Sequence, residues 1–385
     1  MSELDDLLRR HAEQLIAGVS PVTPGEARDG AGLRGSRRPR VALGSVTKGR
    51  HLPHVLLVAA VVAVVVALVV GLLPGPRPQR VRVAGSPPLT PVPAQAAGVL
   101  HVGFVTGVAF GYGALWAPGN GILRRVNPAT DRVAATIPVA GSSDYRYVAV
   151  GGGAVWVTDA GTDKLTRINP ATDRVTDTIT LPPSPVALTV GFGKLWVEIV
   201  AETGPEVIPV SIRTDRPGPP IVVATSGTPT NGLAAGYGGV WLTTTANLLR
   251  IDPRSGKVSV VSGPGSTLSF QYDVAAGDGA VWATVNSEGL ARVDTRTLSL
   301  TGTPAPISSA NMVAVGPGAV WVVTNPNNTS GGYAGALVQV NPVTGKVVGK
   351  PITVGETPVG IAVGHGAVWV ASYADGSIEK IDVGR

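Results

Sequence analysis

The chain has 385 residues, of which 44% are hydrophobic, so it is too apolar to be disordered and long enough for one large domain or two smaller ones. It contains no cysteine, which excludes a disulfide framework, a cysteine-ligated metal site and a cysteine nucleophile. The net charge is +6, but residues 99–385 contain 19 basic and 19 acidic side chains, so they give no support to nucleic-acid binding.

The N-terminal part predicts a cytoplasmic tail and a membrane anchor. Residues 1–52 form the basic tail, and helical spacing of apolar side chains predicts a short amphipathic helix over residues 3–17. This helix docks a cytoplasmic partner, lies on the membrane surface, or is a marginal helix without a dedicated partner. Residues 53–73 end in 19 consecutive Val, Leu, Ala and Gly residues, which are enough to cross a bilayer as one helix.

The flanks of this apolar segment predict its orientation. Six arginines and lysines precede it without an acid between them and three arginines follow it, which favours a cytoplasmic N-terminus. Residues 74–98 contain seven prolines and predict a semi-rigid stalk. We therefore expect a single-pass protein of the cell membrane with everything after residue 73 outside the cytoplasm.

Seven tryptophans end the same phrase, Gly-x-Gly-x-(Val/Leu)-Trp, at a nearly constant interval along the chain. This period of about 40 residues, with four strand-sized pieces per unit, predicts an all-β fold, a seven-bladed β-propeller over residues 99–385. The Gly-x-Gly turn is expected because its backbone needs a positive φ, which glycine adopts at little cost. Identical placement in every unit predicts that the tryptophans pack between blades rather than bind a ligand. They are Trp116, Trp156, Trp196, Trp241, Trp282, Trp321 and Trp369.

The two ends of the repeat region predict how the ring closes. The seventh unit ends before any fourth strand, whereas residues 99–104 form a strand-like segment that belongs to no unit. We expect this N-terminal strand to complete the last blade and to leave no open edge. Aligning the residues before Trp116 and Trp369 puts Leu100 at the fourth-strand position of Thr353.

The Gly-x-Gly-x-Val-Trp-Val and Asn/Asp-Pro-x-Thr-x-Arg/Lys-Val phrases resemble the YVTN-type repeats of bacterial extracytoplasmic propellers. They are also similar to the streptogramin (virginiamycin B) lyase-like superfamily of seven-bladed propellers, and the excess of Arg over Lys is typical of a GC-rich genome such as an actinobacterium's. For the lyase members, the resemblance implies a metal-assisted elimination that uses His and Glu at the channel mouth. This chain departs from that pattern, because His101 is expected on the closing strand and His365 in a tight turn.

Acidic residues are scattered over the face on which propellers of this kind usually bind, the face of the connections between blades and between strands two and three. No pair among them has the spacing of a metal site or an acid–base dyad. The sequence thus predicts no catalytic residue, no metal ligand and no cofactor, a divalent metal being needed only under the lyase-like alternative. These acids are Asp144, Asp159, Asp163, Glu202, Asp273, Glu288, Glu356 and Asp375.

Two connections on this face, leading into blades two and five, are long and aromatic. Exposed aromatics flanked by polar groups are typical of recognition sites, although these tyrosines could instead cover the channel and pack locally. The candidate ligand-binding residues are Tyr145, Arg146, Tyr147, Phe270, Gln271, Tyr272, Asp273, Tyr333 and Tyr373. The favoured function is a non-enzymatic binding or sensor module for an extracytoplasmic ligand or protein. The alternatives are a metal-assisted lyase-like enzyme and a scaffold without a small ligand.

Overall fold

A computed structural model describes residues 93–139, 147–202, 204–223, 229–261, 270–285, 289–302, 304–316, 318–325 and 334–383. The predicted tail, its helix over residues 3–17, the apolar segment 53–73 and most of the predicted stalk lie outside these ranges. Across the described ranges, no helix is long and apolar enough to span a membrane.

The described residues form 28 strands in seven four-stranded antiparallel sheets, which are the blades. Strand β1 (Ala94–His101) precedes blade 1. Blade 1 contains β2 (Ala109–Gly111), β3 (Ala114–Gly119), β4 (Ile122–Asn127) and β5 (Arg132–Pro138). Blade 2 contains β6 (Val148–Gly151), β7 (Ala154–Asp159), β8 (Lys164–Asn169) and β9 (Arg174–Thr180). Blade 3 contains β10 (Pro185–Gly191), β11 (Lys194–Ala201), β12 (Gly204–Ser211) and β13 (Ile221–Val222).

The remaining blades repeat this order. Blade 4 contains β14 (Pro229–Gly236), β15 (Gly239–Thr244), β16 (Leu248–Ile251) and β17 (Val258–Val260). Blade 5 contains β18 (Phe270–Gly277), β19 (Ala280–Val285), β20 (Gly289–Asp294) and β21 (Ser299–Leu300). Blade 6 contains β22 (Ala310–Gly316), β23 (Ala319–Thr324), β24 (Ala334–Val340) and β25 (Val347–Glu356). Blade 7 contains β26 (Pro358–Gly364), β27 (Ala367–Ser372) and β28 (Ser377–Val383), with β1 at its outer edge.

The blades form a closed ring with two distinct faces. The first strands of successive blades contact one another all the way round, and β26 of blade 7 contacts β2 of blade 1. Because successive strands are antiparallel, connections alternate between the two ends of the ring. We name the end with the strand 2→3 turns and the connections between blades the upper face. The end with the strand 1→2 and 3→4 turns is the lower face.

Strand β1 closes the ring, as the sequence predicts. It pairs antiparallel with β28 as the fourth strand of blade 7. It begins at Ala94, within the segment predicted to be stalk.

The predicted alignment of this strand is wrong by one residue. Ile378 in blade 7 and Leu337 in blade 6 occupy the same position of the third strand. Leu100 pairs with Ile378, and Ile352 pairs with Leu337. Leu100 therefore takes the position of Ile352 and not that of Thr353. The slip arises because the chain from Leu100 to Trp116 is one residue shorter than the corresponding chain from Ile352 to Trp369. A shift of one residue reverses the face to which a strand side chain points, and only the observed register directs Leu100 into the core.

The repeat tryptophans lie in buried clusters that join neighbouring blades. All seven are 0 to 2% exposed. Trp156 packs against Leu195 of blade 3 and donates its Nε1 hydrogen to the carbonyl of Gly151 at 3.2 Å. The guanidinium of Arg167, on the neighbouring strand, lies 5.4 Å from the Trp156 ring centroid and forms a 2.8 Å ion pair with Asp215 of blade 3. A cation covers the tryptophan in five blades; these cations are Arg167, Lys194, Arg250, Arg292 and Lys380.

The expectation that a positive φ requires glycine in the Gly-x-Gly turns does not explain both glycines. The second glycine has a φ of 72° to 81°, but in six blades the middle residue also has a positive φ, for example 52° at Tyr112 and 55° at Phe192. The first glycine is needed for a different reason. A Cβ added at Gly111 would collide with Val150 of blade 2, and this approach recurs between every pair of neighbouring blades. Contact between blades, rather than φ, therefore selects the first glycine.

Candidate functional site

The start of blade 5 is a distinctive part of the upper face. Tyr272 has a φ of 94°, outside the region that tyrosine favours, and β18 is irregular between Phe270 and Val274. The carboxylate of Asp273 holds this irregular segment by accepting hydrogen bonds from the N–H of Val274 at 2.8 Å and of Val313 in blade 6 at 3.0 Å. Such strain persists only where the surroundings enforce it, and it is common at functional sites.

Thr284 fixes the backbone of Asp273 from the second strand of the blade. Its hydroxyl oxygen accepts a hydrogen bond from the Asp273 N–H at 2.9 Å and lies 3.3 Å from the carbonyl oxygen of Asn311 in blade 6. Asp273 is partly exposed as a residue, but its carboxyl group lies inside the protein. Burial raises the pKa of this carboxyl to about 7, although the two backbone hydrogen bonds oppose the shift. Asp273 thus joins two blades and titrates close to neutral pH.

Tyr147 occupies in blade 2 the position that Asp273 occupies in blade 5, since each stands at the same distance before its repeat tryptophan. It is half-buried against the core between blades 2 and 3. Its carbonyl accepts a hydrogen bond from the N–H of Thr158 at 3.0 Å. Tyr147 therefore contacts the core that joins its own blade to the next one.

Tyr373 forms an aromatic pair at the seam where the ring closes. It lies in the 2→3 turn of blade 7, is 45% exposed, and meets Phe104 edge to face with ring centroids 5.0 Å apart. Phe104 lies between β1 and β2, and its carbonyl accepts a hydrogen bond from the Arg124 guanidinium at 3.1 Å. Sequence reasoning did not select Phe104, because it assigned residues 99–104 to the closing strand, whereas that strand ends at His101.

Several predicted site residues cannot be compared with the structure. Tyr145, Arg146 and Tyr333 lie outside the described residues. Phe270 and Gln271 begin strand β18. The structure therefore joins Tyr272 and Asp273 in blade 5, whereas Tyr147 and Tyr373 lie in blades 2 and 7.

Glu198 is a fully buried acid in the second strand of blade 3. It is 0% exposed, and neither of its carboxyl oxygens has a hydrogen-bond partner among the described residues. Burial raises its pKa to about 8. The position lies two residues after the repeat tryptophan, where blades 2, 4 and 5 carry fully buried threonines. These threonines are Thr158, Thr243 and Thr284.

Sequence reasoning missed Glu198 because it looked for acids in the connections and for acids in pairs. A signal was nevertheless present: a single charged residue replaces threonine at one position of the aligned repeat. An acid at a position that is otherwise uncharged and buried is a candidate for a perturbed pKa.

Three side-chain oxygens converge beside Gly355, at the crossover from blade 6 to blade 7. Oxygens of Asp375, Ser372 and Glu379 lie 2.5, 2.7 and 2.8 Å from the place that a Cβ of Gly355 would occupy. Ser372 is fully buried, and its hydroxyl has no hydrogen-bond partner in the described part of the chain. Asp375 accepts a hydrogen bond from the Glu356 N–H at 3.3 Å. Burial raises the pKa of Glu379, and the negative charge of Asp375 adds to this increase.

These oxygens do not match the His and Glu ligands that the lyase resemblance implies. Within the described ranges, no three His, Cys, Asp or Glu side chains gather closely enough to hold a metal ion. His101 ends β1 and His365 lies in a lower-face turn, and both are exposed, as expected. Two carboxylates and a hydroxyl offer a hard cation such as Ca²⁺ only part of its usual shell of oxygens.

Comparison with known proteins identifies the fold. No protein-family model and no curated protein matches the chain. Among solved structures, virginiamycin B lyase from Staphylococcus aureus is 16% identical with a TM-score of 0.60, and the match covers 76% of this chain and 100% of that one. BamB from Moraxella catarrhalis is 14% identical with a TM-score of 0.54, covering 75% and 100%. The WD40 propeller domain of Doa1 is 11% identical with a TM-score of 0.60, covering 75% and 97%. At these identities the likeness concerns the fold alone.

Proposed function

We propose that this chain is a single-pass membrane protein whose extracytoplasmic propeller binds a ligand or protein on its upper face without catalysing a reaction. The observation that carries the proposal is the strained Tyr272, which Asp273 and Thr284 fix through hydrogen bonds that reach blade 6. An aromatic side chain on a pre-formed backbone loses little conformational freedom on binding, which favours recognition. The exposed Tyr373, which packs on the partly buried Phe104, supplies a second aromatic surface on the same face.

Site-specific photo-crosslinking in the producing cell tests this proposal. The full chain carrying p-benzoylphenylalanine in place of Tyr373 is expected to give a discrete adduct that depends on ultraviolet light. Adding Tyr272→Ala should reduce the yield by roughly tenfold, because truncating an aromatic anchor of an interface costs more than about 1.4 kcal/mol of binding. The yield is measured by gel shift, and the adduct is identified by mass spectrometry.

Two matched controls separate recognition from folding. The same crosslinker at Val99, which is 59% exposed on the outer strand, should give no such adduct. Val222→Ala, which truncates a side chain that is 52% exposed on the outer strand of blade 3, should leave the yield from position 373 unchanged. An equal yield with and without Tyr272→Ala would contradict the role of Tyr272. The absence of any adduct from position 373 would contradict recognition on this face.

A metal-assisted enzyme of the lyase-like type is the second candidate, and the oxygens around Gly355 are the observation in its favour. An ion that binds the folded protein stabilises it by about 2.7 kcal/mol at roughly 100 times its dissociation constant. Under the binding-module proposal we expect Mg²⁺, Ca²⁺ and Mn²⁺ to move the Tm of the full chain by less than about 1 °C, a change worth under about 0.5 kcal/mol for a domain of this size. A rise in Tm of several degrees that Asp375→Asn and Ser372→Ala each abolish would show that a metal binds at this site. That result would support the enzyme alternative.

A further inference from the structure

The lower face carries a rim of basic side chains. They lie in or directly beside the 3→4 turns of blades 1 to 6, all are exposed, and none forms a salt bridge with another described residue. The rim is not apparent from the net charge of residues 99–385, which is zero. Its eight members are Arg132, Arg174, Arg213, Arg216, Arg254, Lys257, Arg296 and Lys346.

Acids of the lower face do little to cancel this rim. Three aspartates are paired with partly buried cations of a neighbouring blade at 2.8 to 3.1 Å. These pairs are Asp173–Arg125, Asp215–Arg167 and Asp131–Lys380. Asp252 and Asp294 accept hydrogen bonds from the backbone of their own turns, which lowers the pKa of each carboxyl. Asp278 accepts a hydrogen bond from the Gly318 N–H at 3.0 Å, and Asp382 is exposed. The exposed basic side chains therefore outnumber the exposed, unpaired acids at this end of the ring.

Three exposed aromatic rings lie inside the basic rim, in the 1→2 turns. Tyr112, Phe192 and Tyr237 are 51, 46 and 43% exposed. The hydroxyl of Tyr112 accepts a hydrogen bond from the Gly153 N–H at 2.6 Å, and that of Tyr237 accepts one from the Gly279 N–H at 2.6 Å. Both rings are thus held across a seam between blades. Aromatic rings near basic side chains are typical of surfaces that contact the headgroup region of a bilayer.

The chain also enters the propeller at this face. Strand β1 begins at Ala94, opposite Val383, whose N–H donates to the carbonyl of Gly366 in a lower-face turn at 2.9 Å. The segment 74–93 would span about 60 Å if extended as its proline content predicts. A chain that leaves a membrane segment at residue 73 therefore reaches the lower face first, with enough length for that face to lie flat on the bilayer.

We infer that the lower face docks on an anionic lipid surface, with the basic rim on the headgroups and the three aromatic rings at the interface. Each lysine or arginine beside such a surface strengthens the attraction by about fivefold. The upper-face connections carry exposed or half-buried acids such as Asp163, Glu356 and Asp375, which an anionic surface repels. Docking therefore orients the ring with its upper face away from the membrane. The inference rests on the membrane anchor of the proposed function, but not on the recognition site, which lies on the opposite face.

Lipid-borne quenching of a single fluorophore tests the docking. The chain has no cysteine, so Thr130→Cys labels the lower face and Ala374→Cys labels the upper face at exposed positions. The full chain is reconstituted in nanodiscs of phosphatidylglycerol or of phosphatidylcholine with a headgroup-level quencher. In phosphatidylglycerol we expect the label at position 130 to be quenched at least about threefold more than the label at position 374, and in phosphatidylcholine we expect this difference to shrink.

Charge reversal supplies the matched variants. Arg132→Glu with Arg174→Glu should reduce quenching at position 130 towards that at position 374, because two attractions become repulsions. Lys164→Glu with Lys350→Glu changes the net charge equally away from the lower face and should leave the quenching unchanged. Equal quenching of both labels in phosphatidylglycerol overturns the inference, as does a chain that associates with neither lipid. Binding of soluble heparin without lipid-dependent quenching overturns it in favour of a polyanion site.

Discussion

Replacing Glu198 by threonine, the residue of three other blades at this position, is expected to raise the free energy of unfolding by several kcal/mol at pH 8 and by little at pH 4.5. The pKa of this carboxyl is about 8 in the folded chain, against an ordinary value of 4.5. Below pH 4.5 both states hold the proton, so the burial of Glu198 carries no ionisation cost. Between pH 4.5 and 8 the unfolded chain ionises first, and the stability falls by about 1.4 kcal/mol per pH unit. Over this window the loss approaches about 5 kcal/mol.

Urea unfolding of the full chain at pH 5, 6, 7 and 8 measures this linkage. Glu198→Gln keeps the shape of the side chain but cannot ionise, so its stability should fall less steeply with pH than that of the native chain. Part of the slope should remain, because the pKa of Asp273 is raised from 3.8 to about 7 and this carboxyl acts in the same direction over a lower window. Asp273→Asn should remove that part.

An exposed acid of the same blade provides the control. Glu202→Gln lies in the 2→3 turn of blade 3 and should change the free energy of unfolding by less than about 0.5 kcal/mol. Parallel pH profiles for the native chain and Glu198→Gln would show that Glu198 finds a partner or water in solution. The buried carboxyl would then not be the group that limits stability at neutral pH.

The architecture is predictable from the sequence because it is repeated seven times. A strand-length piece, a tight turn and a tryptophan recur at a near-constant interval. One such unit can match the pattern by chance, but seven units in succession do not. The closing strand is predictable for a related reason. The last unit lacks a fourth strand and one extra strand precedes the first unit, so the extra strand completes the last blade when the ring closes. The register of that strand is not predictable in this way, because the chain from Leu100 to Trp116 is one residue shorter than the corresponding chain from Ile352 to Trp369.

Residues that depart from the repeat pattern are harder to predict from the sequence. Glu198 lies within a strand whose neighbours look ordinary, and only alignment with Thr158, Thr243 and Thr284 makes its charge conspicuous. The first glycine of each turn is a similar case, since the side chain that excludes a Cβ belongs to the neighbouring blade, one whole repeat away along the chain. The basic rim escaped notice because a net charge of zero was summed over both faces. A strand-by-strand assignment of charges to the upper and lower ends would have found it.

Removing β1 is expected to abolish cooperative folding of the propeller. Seven of its residues pair with β28, Leu100 packs on the core between blades 7 and 1, and Ala94 packs on the core between blades 6 and 7. Without the strand, both cores open to water and β28 becomes an exposed edge. The loss is comparable to the whole stability of a typical domain, about 5–15 kcal/mol. A chain lacking residues 1–101 should therefore show no cooperative thermal transition in tryptophan fluorescence.

The matched control lacks residues 1–92 and so keeps β1 while losing everything before it. It should unfold cooperatively, because every strand of the ring is present. Leu100→Ala in the full chain retains the backbone pairing and removes only a partly buried side chain, so it should cost no more than about 2–3 kcal/mol. A synthetic peptide of residues 93–104 added to the chain without β1 should restore the transition. If that chain instead unfolds at the same temperature and with the same cooperativity as the control, ring stability resides in the contacts between blades and the closing strand is dispensable.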